Sequence, residues 1–194
     1  MNLFYYPGAC SLADHIALIE TGLPYKLLSI NRDKKTEDGR DFLSLNPKGY
    51  IPTLELEDGA ILTENQIILT YIAEKTGKLL PEDGLTRWRT LEALAFMSSE
   101  IHGNYNPFFR NFPEPEKERA REKLAKAFAI LADQMGDKAF LVSDEMTIAD
   151  CYLFWVLFVA PKSGVDLPER LQNCFDRMKE RPSVIKAFAE EGLA

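Results

Sequence analysis

Pro52 constrains this chain more than any other residue. It stands at the mouth of a strand-like run, Thr53 to Leu56, and a proline has no N–H to give to a sheet, so it belongs at a strand's start or edge. Glu57-Asp58-Gly59 reads as a hairpin-type turn into a second short run, Ala60 to Leu62. That run ends in Thr63-Glu64-Asn65, a polar cluster that opens a helix through Ile67-Ile68 and Tyr71-Ile72 to a stop at Gly77.

Upstream, Leu3 to Tyr6 is an apolar, aromatic strand closed by Pro7-Gly8. From Ser11 the pattern turns helical, with Leu12, His15-Ile16 and Ile19 on one stripe and Gly22 as C-cap. Tyr25 to Ile30 reads as a second strand, and Asp41 to Leu45 as a helical turn. The order strand-helix-strand, then strand-strand-helix, predicts a small mixed α/β sheet with helices on its faces.

Past Gly77 the composition changes. The segment 78–85, with Pro81 and Gly84 among acidic residues, reads as a linker between a first domain at 1–77 and a second at 86–194. The second shows only helical patterns. One runs from Arg87 to Tyr105 with Trp88, Leu91 and Leu94 on its apolar face. Another runs from Glu116 to Met135 on Ala120, Leu124, Phe128 and Leu131. Thr147-Ile148-Ala149-Asp150 is a capping box with Asp in place of Glu, which assigns Asp150 to folding. The run Cys151 to Ala160 is apolar on all sides, as a buried central helix would be. Two shorter helices, near 168–180 and 182–190, end the chain.

With 23 basic and 30 acidic residues the formal net charge is −7, which argues against nucleic acid or an anionic membrane as the partner. The N-terminus lacks the basic and apolar regions of a signal peptide. The longest apolar run is far short of the ~20 residues that span a bilayer. The three cysteines, Cys10, Cys151 and Cys174, form no C-x-x-C pair and no metal spacing. A cytoplasmic location in a reducing compartment is expected.

Five places draw chemical attention. Cys10 follows a strand and a Pro-Gly turn and precedes a helix, where unpaired N–H groups and the helix dipole would lower a thiol's pKa. Ser11 is then an N-cap and a neighbouring hydroxyl donor. The other reading makes Cys10 a small buried filler and Ser11 a cap only. An Ile51–Pro52 bond in cis would turn the Ile51 N–H and C=O toward an extended peptide; a trans proline opening a strand is the plainer reading. Glu64-Asn65 is either a cap or a receptor for an amino-acid-like group, since a helix N-terminus takes a carboxylate and a carboxylate side chain takes an ammonium. Ser99, His102 and Asn106 fall at i, i+3 and i+7, one polar face of a uniform helix that either lines a cleft or faces solvent. Lys34-Lys35 is solvated surface unless an anionic ligand end reaches it.

These motifs together resemble the bacterial beta-class glutathione transferases. The resemblance rests on Tyr-Pro-Gly-Ala-Cys-Ser at 6–11, Lys-Lys-Thr-Glu-Asp-Gly at 34–39 and Asn-Pro-Lys-Gly-Tyr-Ile-Pro-Thr-Leu at 46–54. It continues in Leu-Thr-Glu-Asn at 62–65, Ser-Ser-Glu-Ile-His at 98–102, Thr-Ile-Ala-Asp at 147–150 and Glu-Gly-Leu at 191–193. It implies a thioredoxin-like N-terminal domain, an all-α C-terminal domain, a homodimer, and glutathione as co-substrate beside a small electrophile. No metal is implied. By resemblance Cys10 faces the glutathione sulfur, Ser11 is a donor beside it, and His102 approaches from the helical domain. Ile51, before a cis Pro52 and after Tyr50, pairs through its backbone with the cysteinyl unit. Glu64 and Asn65 hold the γ-glutamyl end, Lys34 or Lys35 meets the glycyl carboxylate, and Ser99 joins the site.

The chain departs from that pattern at three places. Glu92-Ala93-Leu94-Ala95 stands where the family often has Glu-Trp-Leu-Asn, Gly103 where a lysine is frequent, and Asn65 where a serine or glycine is common. The electrophile pocket is expected among Tyr105, Phe108, Phe109 and Phe112, and Tyr5 is a rival thiol donor. Two other functions stay open. One is a glutathione-dependent monothiol oxidoreductase, since position 13 is Ala rather than a second cysteine. The other is a non-enzymatic binding or regulatory protein on the same scaffold.

Overall fold

The computed structural model describes residues 1–193. The chain forms two units, one of Met1–Leu79 joined by the segment from Arg181 onward, the other of Leu80–Glu180. The expected division at 86–194 therefore differs at its C-terminal end. The last helix, α9 (Pro182–Glu191), belongs with the first unit. The reason is polar as well as apolar. His15 on α1 (Ser11–Thr21) sits fully buried between Glu191, 3.0 Å from Nδ1, and Glu190, 2.7 Å from Nε2. Arg181 Nε donates to Glu20 at 2.7 Å.

In the first unit β1 (Asn2–Tyr5), β2 (Lys26–Ser29), β3 (Thr53–Glu55) and β4 (Ile61–Thr63) form one mixed sheet in the order β2-β1-β3-β4. β1 runs parallel to β2, with Leu3 beside Leu27, and antiparallel to β3, with Leu3 beside Leu54. β3 and β4 are the expected hairpin, paired Leu54 to Leu62. Phe4, Ile30 and Phe42 form a small core cluster on which Leu28, Leu45 and Ile51 pack. α2 (Phe42–Leu45) is capped by the Asp41 carboxylate on the Leu43 N–H, and α3 (Asn65–Thr76) packs against α1. Gly22 and Gly77 end α1 and α3 in the left-handed conformation, which glycine adopts without a Cβ clash.

The second unit is helical, as its sequence periods predict. α4 spans Gly84–Phe96. The chain then winds as a π segment at Met97–Ile101 and as a 3₁₀ turn at His102–Tyr105 before α5 (Asn106–Phe109). α6 (Glu114–Met135) buries the anticipated stripe, Ala120, Leu124, Ala127, Phe128, Leu131 and Met135. α7 (Ile148–Val159) is buried along almost all of its length. Its capping box is formed, with the Asp150 carboxylate accepting from the Thr147 N–H at 2.7 Å. α8 (Glu169–Lys179) completes the unit. Trp88 departs from expectation: it is 64% exposed on α4 rather than part of an apolar core face. No helix among the described residues is long and apolar enough to cross a membrane.

Candidate functional site

The stretch around Pro52 is held by Asn46. Its side-chain N–H₂ donates to the Tyr50 carbonyl at 2.8 Å and to Thr53 Oγ1 at 2.9 Å, while its Oδ1 accepts from the Lys48 N–H. Gly49 allows the turn: it has φ +70°, and a Cβ there would meet Leu43 Cδ2 at 3.1 Å. The Ile51–Pro52 bond is cis. The Ile51 N–H has no hydrogen-bond partner among the described residues, and the Ile51 carbonyl accepts from Cys10 Sγ at 3.4 Å. Tyr50 is 67% exposed beside it.

A cavity of about 370 Å³ opens next to this turn, lined by residues that include Tyr6, Ala9, Asn31, Arg32, Lys34 and Ile51. The two lysines are placed differently, Lys34 on the cavity wall and Lys35 away from it. Lys34 has φ +59°, and its Nζ donates to the Gly49 carbonyl at 2.7 Å on the cavity wall. Lys35 instead lies 4.0 Å from Asp41, with both side chains half exposed. Sequence reasoning missed Tyr6, Asn31 and Arg32. Their only signal was position, since they border the turn after β1 and the lysine pair.

At the start of α1 two expectations are corrected. Cys10, not Ser11, is the N-cap, with φ −61° and ψ −20° and no capping side-chain bond. Ser11 is fully buried, and its Oγ has no partner among the described residues. The Cys10 thiol is not made acidic by the helix end. Burial, followed by the carboxyl of Asp14, pushes it up to about 12, although the N–H groups of Cys10 and Ser11 act the other way. Desolvation disfavours the thiolate more than two backbone donors favour it. Tyr5 is a core residue of β1, its phenol also raised by burial and then by Glu191.

Glu64 occupies the N-cap of α3 at φ 72° and ψ 120° with no capping bond. A non-glycine residue in that region is strained, by on the order of 1–3 kcal/mol, and such strain gathers at functional positions. Its carboxylate is exposed and, among the described residues, meets only Lys48 Nζ, at 2.7 Å. Asn65 plays a different part from the one the resemblance implied. Its side-chain N–H₂ is engaged inside the unit, donating to the Cys10 carbonyl at 2.8 Å and to Asp14 Oδ2 at 3.0 Å. The side chain joins α3 to α1.

In the helical unit the expected polar face of Ser99, His102 and Asn106 does not exist as such. The π and 3₁₀ segments change the residues per turn, so an α-helical i, i+3, i+7 relation no longer stacks these side chains. His102 Nδ1 lies 2.7 Å from the Tyr152 hydroxyl, and its ring lies 4.5 Å from the Trp155 ring. Burial lowers its pKa to about 4, so the imidazole is neutral at pH 7. Ser99 is exposed and donates to the Phe96 carbonyl at 3.5 Å. Tyr105 is fully buried with its hydroxyl on the Val156 carbonyl, a core residue rather than a pocket wall. Phe109 and Phe112 are 45% and 39% exposed.

The chain matches the family model for the glutathione S-transferase N-terminal domain over residues 9–75 and that for the C-terminal domain over residues 89–182. It is 39% identical over 200 residues to glutathione S-transferase GstA of Escherichia coli O157:H7, covering all of both chains. A bacterial beta-class glutathione S-transferase structure from Sphingomonas chungbukensis superposes with a TM-score of 0.93 at 38% identity, with both chains covered in full. A sphingomonad glutathione S-transferase complexed with glutathione does so at 0.94 and 37%, again over both whole chains. With two domain models matched in order and full-length relatives well above 30% identity, the chain belongs to the glutathione S-transferase family and stands with its bacterial beta class.

Proposed function

We propose that this protein binds glutathione on the first unit and activates its thiol for attack on a small electrophile. One observation carries the reading: Ile51, before a cis proline, has an N–H without a protein partner and a carbonyl that receives the Cys10 thiol. An extended tripeptide can pair with that backbone as an added strand, with its sulfur near Cys10. In this reading the exposed Glu64 carboxylate takes the γ-glutamyl ammonium, and the N–H groups opening α3 take the carboxylate. Lys34, on the cavity wall with Arg32, takes the glycyl carboxylate. Tyr50, Pro52 and the Asn65 main chain shape the trough, Ser11 braces the Cys10 turn, and Lys35 stays outside. The glutathione thiolate forms a bond to the electrophilic carbon as the leaving group departs with its electron pair. Donors near the sulfur stabilise the thiolate against its thiol, one pKa unit for each ~1.4 kcal/mol.

His102 and Ser99 belong to the second unit, and for them the reading carries only what the family resemblance implies. Because His102 is neutral, it acts by hydrogen bonding and not as a cation. A homodimer is part of the same reading, supported by Trp88 and Leu85, 64% and 68% exposed on α4, since large apolar side chains left in water mark association surfaces. A cytoplasmic location is supported by three cysteines held as free thiols.

The deciding experiment is Cys10→Ala assayed for conjugation and for thiol–disulfide exchange at fixed glutathione. Loss of exchange with conjugation kept makes Cys10 the redox group and leaves activation to other donors. Survival of both activities unchanged removes Cys10 from the chemistry. The monothiol oxidoreductase is the second reading, favoured by Ala13 in the place of a resolving cysteine one turn along α1. It gains if exchange far outpaces conjugation in the unaltered protein. Failure of glutathione to raise the melting temperature would favour a non-enzymatic role.

A further inference from the structure

Beneath Cys10 lies a carboxyl that the proposed reaction does not use. Asp14, in the first turn of α1, is fully buried. Its Oδ2 accepts from the Asn65 amide at 3.0 Å, and the same amide nitrogen donates to the Cys10 carbonyl at 2.8 Å. Asp14 Oδ1, Asn65 Oδ1 and Ser11 Oγ are three buried oxygens without partners among the described residues. No Lys, Arg or His pairs with Asp14. Among the charged and titratable groups on the elements packed on α1 are Glu64 before α3, Glu190 and Glu191 of α9, which flank His15, and Tyr5 of β1; α3 also carries Tyr71, Glu74 and Lys75, and α9 carries Lys186. A carboxylate with few donors and no cation is costly to bury; burial raises its pKa well above the usual carboxylate value, against the pull of its own backbone N–H.

We propose that Asp14 is a positioning residue for the sulfur chemistry of this site: its buried carboxyl, tied by Asn65 to the Cys10 turn, holds Cys10 as a thiol whose S–H donates. The bond from Cys10 Sγ to the Ile51 carbonyl is that donation in the free protein. With a ligand bound, the same S–H turns to the incoming thiolate, so Cys10 stabilises a thiolate instead of attacking as one. Two anions this close in a buried turn disfavour each other, so ionisation of either Asp14 or Cys10 opposes that of the other. This inference rests on the reading that Cys10 faces the glutathione sulfur.

The test is iodoacetamide alkylation of Cys10 in the full chain without glutathione, located by peptide mass and followed against pH. Asp14→Asn preserves size and an acceptor for Asn65 while removing the ionisable group. Its Cys10 should alkylate about tenfold faster at pH 8, as a pKa drop of one unit requires, with the whole pH profile displaced to lower pH. Asp14→Ser should show the same displacement if the asparagine variant does not fold. In the unaltered protein, infrared difference spectra followed against pH should show an Asp14 carboxyl band whose titration moves when Cys10 alone is alkylated. An undisplaced profile, or a band indifferent to Cys10, overturns the proposal. These measurements need no glutathione, so they stand apart from the Cys10→Ala activity test, whose failure would instead remove the reading of the site.

Discussion

Each unit buries an aspartate in the first turn of a helix near a cysteine, and the two corners are built to opposite ends. In the helical unit Asp150 receives the Leu141 N–H on Oδ1 and the Thr147 N–H and hydroxyl on Oδ2. In the first unit Asp14 receives one amide on one oxygen, and the other has no partner among the described residues. Both carboxyls are raised by burial, and the cysteine near each, Cys174 and Cys10, is raised to about 12. The same titration behaviour thus has two causes. Asp150 closes the donors of a helix start and a loop, as a structural carboxyl does. Asp14 is left incomplete at the one place where a ligand sulfur is expected, and incomplete satisfaction of a buried polar group marks a position kept for something other than stability.

The largest effect should come from breaking the complete corner. Asp150→Ala leaves the Leu141 and Thr147 N–H groups buried without acceptors and removes a cap, a loss of about 3 kcal/mol or more. Urea unfolding of the purified protein reads this directly, and a loss under about 1 kcal/mol would dissolve the contrast between the corners. Next comes the ligand side of the incomplete corner. Glu64→Ala should raise the KM for glutathione at least about tenfold, the weight of one charge-assisted hydrogen bond. Its melting temperature should change little, because the side chain makes no cap. An unchanged KM would show that the strained residue serves the fold.

The neutral His102 supplies a pH-dependent test in the helical unit. Its folded pKa of about 4 lies below the ordinary value of 6.5. The unfolded chain therefore binds the extra proton between those values, and stability falls as pH is lowered from 6.5 toward 4. His102→Gln should flatten that limb in urea titrations at a series of pH values; a limb left unchanged would assign it to other groups. The smallest effect is expected for Asp14→Asn, within about 1 kcal/mol of the parent at neutral pH. Asp14 has the opposite sign to His102. A raised carboxyl contributes stability below its unfolded pKa and loses it as pH rises through the folded value. The asparagine variant should therefore gain on the parent in urea titrations as pH is raised from the unfolded carboxyl value, about 4, through the raised folded one.

Much of this was legible in the residues. Gly22 and Gly77 marked two helix ends, Thr147 and Asp150 a capping box, and Leu124, Phe128 and Leu131 a buried stripe, because each depends on neighbours within a turn or two. Lys34 and Lys35 were equivalent in the sequence, and the backbone at φ +59° is what turns Lys34 to the Gly49 carbonyl and the cavity wall while Lys35 lies by Asp41. Trp88 followed the apolar period of its helix but faces solvent, since period alone does not say whether a face meets the same chain. His102 was placed on a uniform helix, and no local pattern announced the π and 3₁₀ winding that carries it against Tyr152 and Trp155. The return of α9 to the first unit hangs on His15, more than a hundred and fifty positions away in sequence from Glu190 and Glu191.

The sequence by itself determined the order of most elements, several of their ends and the family. Those follow from short-range backbone preferences and from motifs that keep their spacing. The tertiary structure alone decided how the residues singled out by their motifs are buried and paired, and so how readily they ionise. A cysteine at a helix start reads as an acidic thiol when only the helix is considered. Folding brings Asp14 beside it and removes water from both, and in a medium of low dielectric those two long-range effects outweigh the two local N–H groups.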